Sequence, residues 1–184
     1  MRAISDRNVL DSFCIDFCDI IQRHCKYVVV SGFVAISSGR TRATEDIDMI
    51  IERLDQASFN KLHADLLKAG FVCMQSDDPE EIQSYLKGKD SVRYTLKDQP
   101  LPELELKYMK DELDAYQLQT RVKLPLTGLD IWFSSINMNI AFKEELLKSD
   151  KDLKDAEHLR KIYPELVDEN EIKHIKKMIH RYRL

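Results

Sequence analysis

The chain has 184 residues, with 28 Lys plus Arg against 32 Asp plus Glu and a formal net charge of −4. That balance excludes a uniformly basic nucleic-acid coat protein and a strongly acidic tail protein. Only five Gly and five Pro beside 43% apolar residues exclude a disordered or collagen-like chain, so a folded unit with its own core is expected.

In chain order, Val9, Phe13, Phe17, Ile20 and Ile21 recur at three- and four-residue steps and predict an amphipathic helix over 8–24. Cys14, Cys18 and Cys25 lie on or beside it. Zinc fingers place paired cysteines on turns at shorter spacing, so these read as small buried hydrophobes, and disulfides among them are not expected. Tyr27-Val28-Val29-Val30 is a continuous β-branched run that predicts a strand buried on both faces, ended by Ser31-Gly32. A short helix over 33–38, closed by Gly39, leads to a second strand, Asp46-Ile47-Asp48-Met49-Ile50-Ile51. Asp55 or Ser58 caps the next helix, whose buried stripe is Phe59, Leu62, Leu66, Leu67 and Ala69 before Gly70 stops it.

Residues 71–75 are strand-like, and Asp77-Asp78-Pro79-Glu80-Glu81 opens a short helix with carboxylates at the positive end of its dipole. Strands over 91–96 and 103–109 flank the turn Lys97-Asp98-Gln99-Pro100. Asp111 starts another helix, 129–133 reads as a last strand, and 138–147, 152–162 and 169–181 read as consecutive helices. The fold class expected is α+β: a mixed sheet flanked by helices over 1–135, with a C-terminal helical subdomain over 136–184 packed on it. The longest apolar stretch, 27–36, is broken by Ser31 and Gly32 and falls short of the about 20 residues a membrane helix needs. The start, Met1 to Asp6, meets an acid before any apolar core. No secretory leader is expected there, and a cytoplasmic location with no membrane partner is.

Chemistry concentrates between residues 32 and 48. Strand alternation sends Asp46 and Asp48 to the same face. Two adjacent carboxylates repel, and burying them costs several kcal/mol unless one protonates or a cation neutralises both. A hard divalent ion with oxygen ligands is one solution, and a solvated strand end is the other.

Strand, glycine turn, short helix and an Arg-x-Thr-x-Asp-x-Asp run leading into an apolar strand, carried by Gly32, Ala35, Gly39, Arg42, Thr44, Asp46 and Asp48, resemble the nucleotidyltransferase superfamily that includes DNA polymerase beta. A second block strengthens the likeness: Ile140-Ala141-Phe142-Lys143 followed by Lys151-Asp152-Leu153-Lys154-Asp155-Ala156. It is similar to the C-terminal block of small prokaryotic and archaeal nucleotidyltransferases related to abortive-infection toxins. The sequence departs from the common form in having Ser31-Gly32-Phe33 where Gly is usually followed by Gly or Ser. The third carboxylate such a family supplies from a neighbouring strand matches Glu105 best, with Glu103 and Asp130 as alternatives.

The resemblance implies a metal-dependent nucleotidyltransferase. Asp46 and Asp48 would hold two Mg2+ ions ~4 Å apart and Glu105 would complete the acceptor-side ion. A nucleoside monophosphate would pass from a nucleoside triphosphate to a hydroxyl of RNA, protein or a small molecule, releasing pyrophosphate. Ser31, Gly32, Arg42, Thr44 and Lys143 are the expected substrate-binding residues. Arg42 serves equally as an ion-pair partner of Glu45 or Asp46, and Lys143 as a helix lysine paired with a carboxylate. Asp152 and Asp155 read as scaffold, a helix start and a partner for Lys143 or Arg160. The alternative is a non-catalytic nucleotide- or partner-binding module on this scaffold, within a toxin–antitoxin pair. In the tail, one acid faces Lys173, Lys176, Lys177, Arg181 and Arg183. The basic outer face of a packed helix accounts for this, and contact with RNA phosphates is the alternative.

Overall fold

The computed structural model describes residues 8–41 and 46–184; Arg42 and Thr44, and the start of the chain through Asp6, lie outside the described residues. Helix α1 (Val9–Ile21) begins in a reciprocal capping box, the Asn8 side chain accepting from the Asp11 amide while Asp11 accepts from Asn8. Its inner face carries Phe13, Cys14, Phe17, Cys18 and Ile21, all buried. The two sulfurs are 3.9 Å apart as free thiols. Strand β1 (Tyr27–Val30) turns through Ser31 into α2 (Gly32–Ser37), then β2 (Asp46–Ile51) follows.

Asp55 caps α3 (Gln56–Lys68) by accepting from the Ser58 amide at 2.7 Å. Phe59, Leu62 and Leu66 are buried as expected. Leu67 and Ala69 point outward, and buried His63 joins the stripe in their place, bonded to the Tyr94 hydroxyl at 3.0 Å. Strand β3 (Phe71–Cys73), helix α4 (Pro79–Lys87), strands β4 (Val92–Leu96) and β5 (Gln99–Tyr108) and helix α5 (Glu112–Gln119) complete the first part. The turn between β4 and β5 is tighter than expected, because Asp98 takes a left-handed backbone (φ 62°) and lets β5 start at Gln99.

The strands form one mixed sheet in the order β1-β2-β5-β4-β3, in which only β2 and β5 run parallel. One face is apolar throughout: Tyr27, Val29, Ile47, Met49, Leu104, Leu106, Val92 and Tyr94 are buried there beneath α1, α3 and α4. The other face is divided. Val28 and Ile50 are covered by Leu118 of α5, while the ends of β2 and β5 beyond them carry charge.

Residues 129–133 are not a strand. The Val29 amide donates to the Trp132 carbonyl and Ser134 donates to Val29, so the segment crosses β1 at the single bridge Val29–Phe133. Helix α6 (Ile136–Phe142) widens into a π turn (Lys143–Leu147), and α7 (Asp150–Ile162) and α8 (Glu169–Arg183) follow. The cap of α7 is Ser149, which accepts from the Asp152 amide. Ile172, Ile175 and Ile179 bury one face of α8, at about 1.5–3 kcal/mol for each such side chain. On its flanks Lys176 pairs with Glu144 (2.8 Å), His180 with Glu145, and Arg183 with Asp111 and Asp114. Much of the tail's basic charge is thus engaged in helix packing. Among the described residues, no helix is long and apolar enough to cross a membrane.

Candidate active site

The parallel register of β2 and β5 aligns Asp46 with Glu103 and Asp48 with Glu105. Paired residues in a parallel ladder share a face, and i, i+2 residues do too, so four carboxylates stand in a block on one face of the sheet. Asp46 is exposed, and Asp48, Glu103 and Glu105 are partly buried, their side chains 26%, 15% and 21% exposed.

Among the described residues, Arg93 and Lys107 sit among the four acids. Arg93 of β4, opposite Glu105, lies 3.3 Å from Glu103 and 3.9 Å from Glu105. Lys107, two residues beyond Glu105 on the same strand face, lies 2.8 Å from Glu105 and 3.9 Å from Asp48. Burial raises the Asp48 carboxyl above its usual range and neighbouring Glu105 and Asp46 add to this, against Lys107 and a hydrogen bond from Ser31. Burial likewise raises Glu103, with Asp46 and Glu105 contributing and Arg93 opposing. Burial works against the ionised form of Glu105 too, but Lys107, Ser91 and Arg93 outweigh it and hold that carboxyl low.

Ser31 ends β1 in a backbone conformation rare for any residue but glycine (φ 68°, ψ −143°). The Ser-Gly order therefore places the residue with a side chain in the strained position, and Gly32 becomes the first residue of α2. That placement brings the Ser31 hydroxyl to Asp48.

Beside the acids opens a cavity of about 280 Å³, bounded by Ser31, Asp48 and Lys107 on the sheet side and by Met138, Phe142 and Lys143 on the helical side. Lys143 is only 1% exposed. It is bound by buried Asp155 at 3.1 Å and by Asp152 at 3.6 Å, and Asp155 also meets Arg40 at 3.3 Å. Lys143 is thus not a surface lysine paired with Glu144; Glu144 is taken by Arg160 and Lys176.

Of the residues expected to act together, Asp46, Asp48, Glu105, Ser31 and Gly32 converge on one end of the sheet, and Lys143 reaches the same cavity from the helices. Asp130 does not. Its side chain is 97% exposed and pairs with Lys123, because residues 129–133 pass the far side of β1 rather than joining the sheet. Lys107 and Arg93 are participants the motif did not include. Alternation along Glu103-Leu104-Glu105-Leu106-Lys107 carries the signal for Lys107, and no local pattern marks Arg93.

The acids suit a hard cation in type: all are oxygen donors, in register on one face of the sheet. Among the described residues, no three carboxylate, histidine or cysteine side chains yet converge as a cage around an ion.

No family model matches the chain, and no curated protein matches it. Solved structures do. A nucleotidyltransferase-like antigenic protein from Paracoccidioides brasiliensis superposes with a TM-score of 0.53 at 19% identity, over 94% of this chain and 88% of that one. The antibiotic-resistance factor ANT(2'')-Ia matches over 93% of each chain at 15% identity and a TM-score of 0.49. The first likeness establishes a nucleotidyltransferase-like α+β fold for this chain.

Proposed function

We propose that the protein is a metal-dependent nucleotidyltransferase, moving a nucleoside monophosphate from a nucleoside triphosphate to an acceptor hydroxyl with release of pyrophosphate. The observation that carries this reading is the β2–β5 register, which brings Asp46, Asp48, Glu103 and Glu105 together on one face of the sheet, with Asp48 lining a cavity large enough for part of a nucleotide. Asp46, Asp48 and Glu105 are the residues that would hold Mg2+, and the ion would supply Lewis-acid polarisation of phosphoryl oxygens and activation of a hydroxyl.

The chain's own residues divide the remaining work. Ser31 orients Asp48 through its hydroxyl. Lys143, fixed by Asp155 and Asp152, offers a pre-oriented positive charge at the cavity wall for a phosphate oxygen. Met138 and Phe142 give the cavity an apolar side against which a base packs while water is excluded. The acceptor hydroxyl would approach from the open side, where Asp46 is exposed.

Thermal unfolding with each ribonucleoside triphosphate, with and without Mg2+, tests the proposal. A triphosphate at ~100 times its dissociation constant adds roughly 2.7 kcal/mol, a rise of about 5–10 °C in Tm for a chain of this size. The rise should require Mg2+, disappear in Asp46→Asn and shrink in Lys143→Met. A rise that persists in Asp46→Asn would move the nucleotide elsewhere. No Mg2+-dependent rise with any triphosphate would leave a partner-binding module on this scaffold as the better account.

A further inference from the structure

We infer that Lys107 is a tethered counter-ion that occupies the gap between Asp48 and Glu105, so that a divalent metal enters by displacing it. The inference rests on the metal-dependent reading above, and concerns what the chain does before the metal arrives.

The geometry is specific to this lysine. Its ammonium lies 2.8 Å from Glu105 and 3.9 Å from Asp48, joining the two strands whose acids the reaction requires to share an ion. Arg93 neutralises the opposite flank, Glu103 and Glu105, and is not part of the cavity wall; Lys107 is. A hard cation binding both Asp48 and Glu105 must take the space and the oxygen lone pairs that the ammonium now uses. The ammonium of a 45% exposed side chain on a flexible stem has room to leave. Once displaced, it stays tied to β5 at the edge of the cavity, on the side of Asp48, where incoming phosphates add negative charge.

The arrangement fits a further observation: among the described residues, the acids do not converge as a cage.

Manganese titration of the purified protein, followed by calorimetry in the absence of nucleotide, tests the inference. Lys107→Met should bind Mn2+ roughly fivefold or more tightly than wild type, the factor that an ion pair at the upper end of the exposed range withholds. Its metal-free Tm should fall, and Mn2+ should restore it. Lys110 lines the same cavity and, among the described residues, makes no ion pair with the acids, so Lys110→Met measures the effect of removing a nearby charge without removing a competitor. Equal gains in Lys107→Met and Lys110→Met, or no gain in Lys107→Met, would overturn the displacement model. Mn2+ binding that survives unchanged in Asp48→Asn would instead defeat the metal-site reading on which the model rests.

Discussion

Two clusters of charge meet at the same cavity and are built on opposite principles. Around Asp155 the charges are buried and matched: Lys143 and Arg40 converge on one fully buried carboxylate, with Asp152 assisting at the rim. On the sheet face, among the described residues, Arg93 and Lys107 pair with acids of a four-carboxylate block in which Asp46 is exposed and the other three are partly buried. A buried ion pair is costly to assemble but costlier to break, because the partner left behind has no water to turn to. A partly exposed cluster costs less to alter, because water can replace a lost partner. The comparison separates a buried, paired charge set from a partly exposed one.

The largest effect expected from this contrast lies on the buried side. Asp155→Ala leaves Lys143 with little but Asp152 and should cost about 3–5 kcal/mol in urea unfolding. Adding Lys143→Met to that variant should recover a substantial part of the loss, since the stranded ammonium is then gone. If the double variant were no more stable than Asp155→Ala, the pair would not behave as one unit.

Smaller, and opposite in sign, is the effect on the sheet. Asp48→Asn removes one of several repelling charges and should leave stability unchanged or raise it by roughly 0–1 kcal/mol, while abolishing nucleotidyl transfer. A loss as large as that of Asp155→Ala would erase the distinction between the clusters and make Asp48 a structural residue.

The smallest effect is a pH dependence. Because the folded protein holds the Asp48 carboxyl above its ordinary range, the native state takes up that proton before the unfolded chain does. Its contribution to stability is fully present below the ordinary aspartate range and is lost as pH rises through the raised value. Any advantage of Asp48→Asn over wild type should therefore be greatest near neutrality and fade as pH falls through the carboxylate range. Unfolding curves of both proteins between pH 7 and pH 4 would measure it. Glu105, held low by Lys107, Ser91 and Arg93, contributes in the other direction.

Much of this is legible in the chain pattern. Helical periodicity in α1 and α8 and alternation in β2 and β5 follow from side-chain direction, so residue spacing alone puts Asp46 and Asp48 on one strand face, and Glu103 and Glu105 on another. Register is another matter. That Asp48 lies beside Glu105, and Asp46 beside Glu103, depends on how two distant strands slide against each other, which no local pattern encodes. The run 129–133 reads as a strand because its composition is apolar and aromatic, yet it meets β1 at a single residue. Composition reports burial there, not pairing. For Lys143 the sequence offers a phosphate contact or a pairing with Glu144 or another carboxylate, Asp155 among them; its bond to Asp155 follows that reading, while its depth of burial arises where three helical segments meet, which spacing does not resolve.

The parallel pairing of β2 with β5 also bears on when the site comes into being. Between those strands the chain builds α3, β3, α4 and the β4–β5 hairpin. The hairpin closes locally and at small entropic cost, whereas joining β2 to β5 requires closing the whole intervening segment. The carboxylates can therefore meet only after most of the sheet has formed. A nascent or partly unfolded chain would carry every acidic residue of the site and still lack the pair of neighbouring strands that turns them into one, so metal capture, on the proposed function, would report completion of the fold.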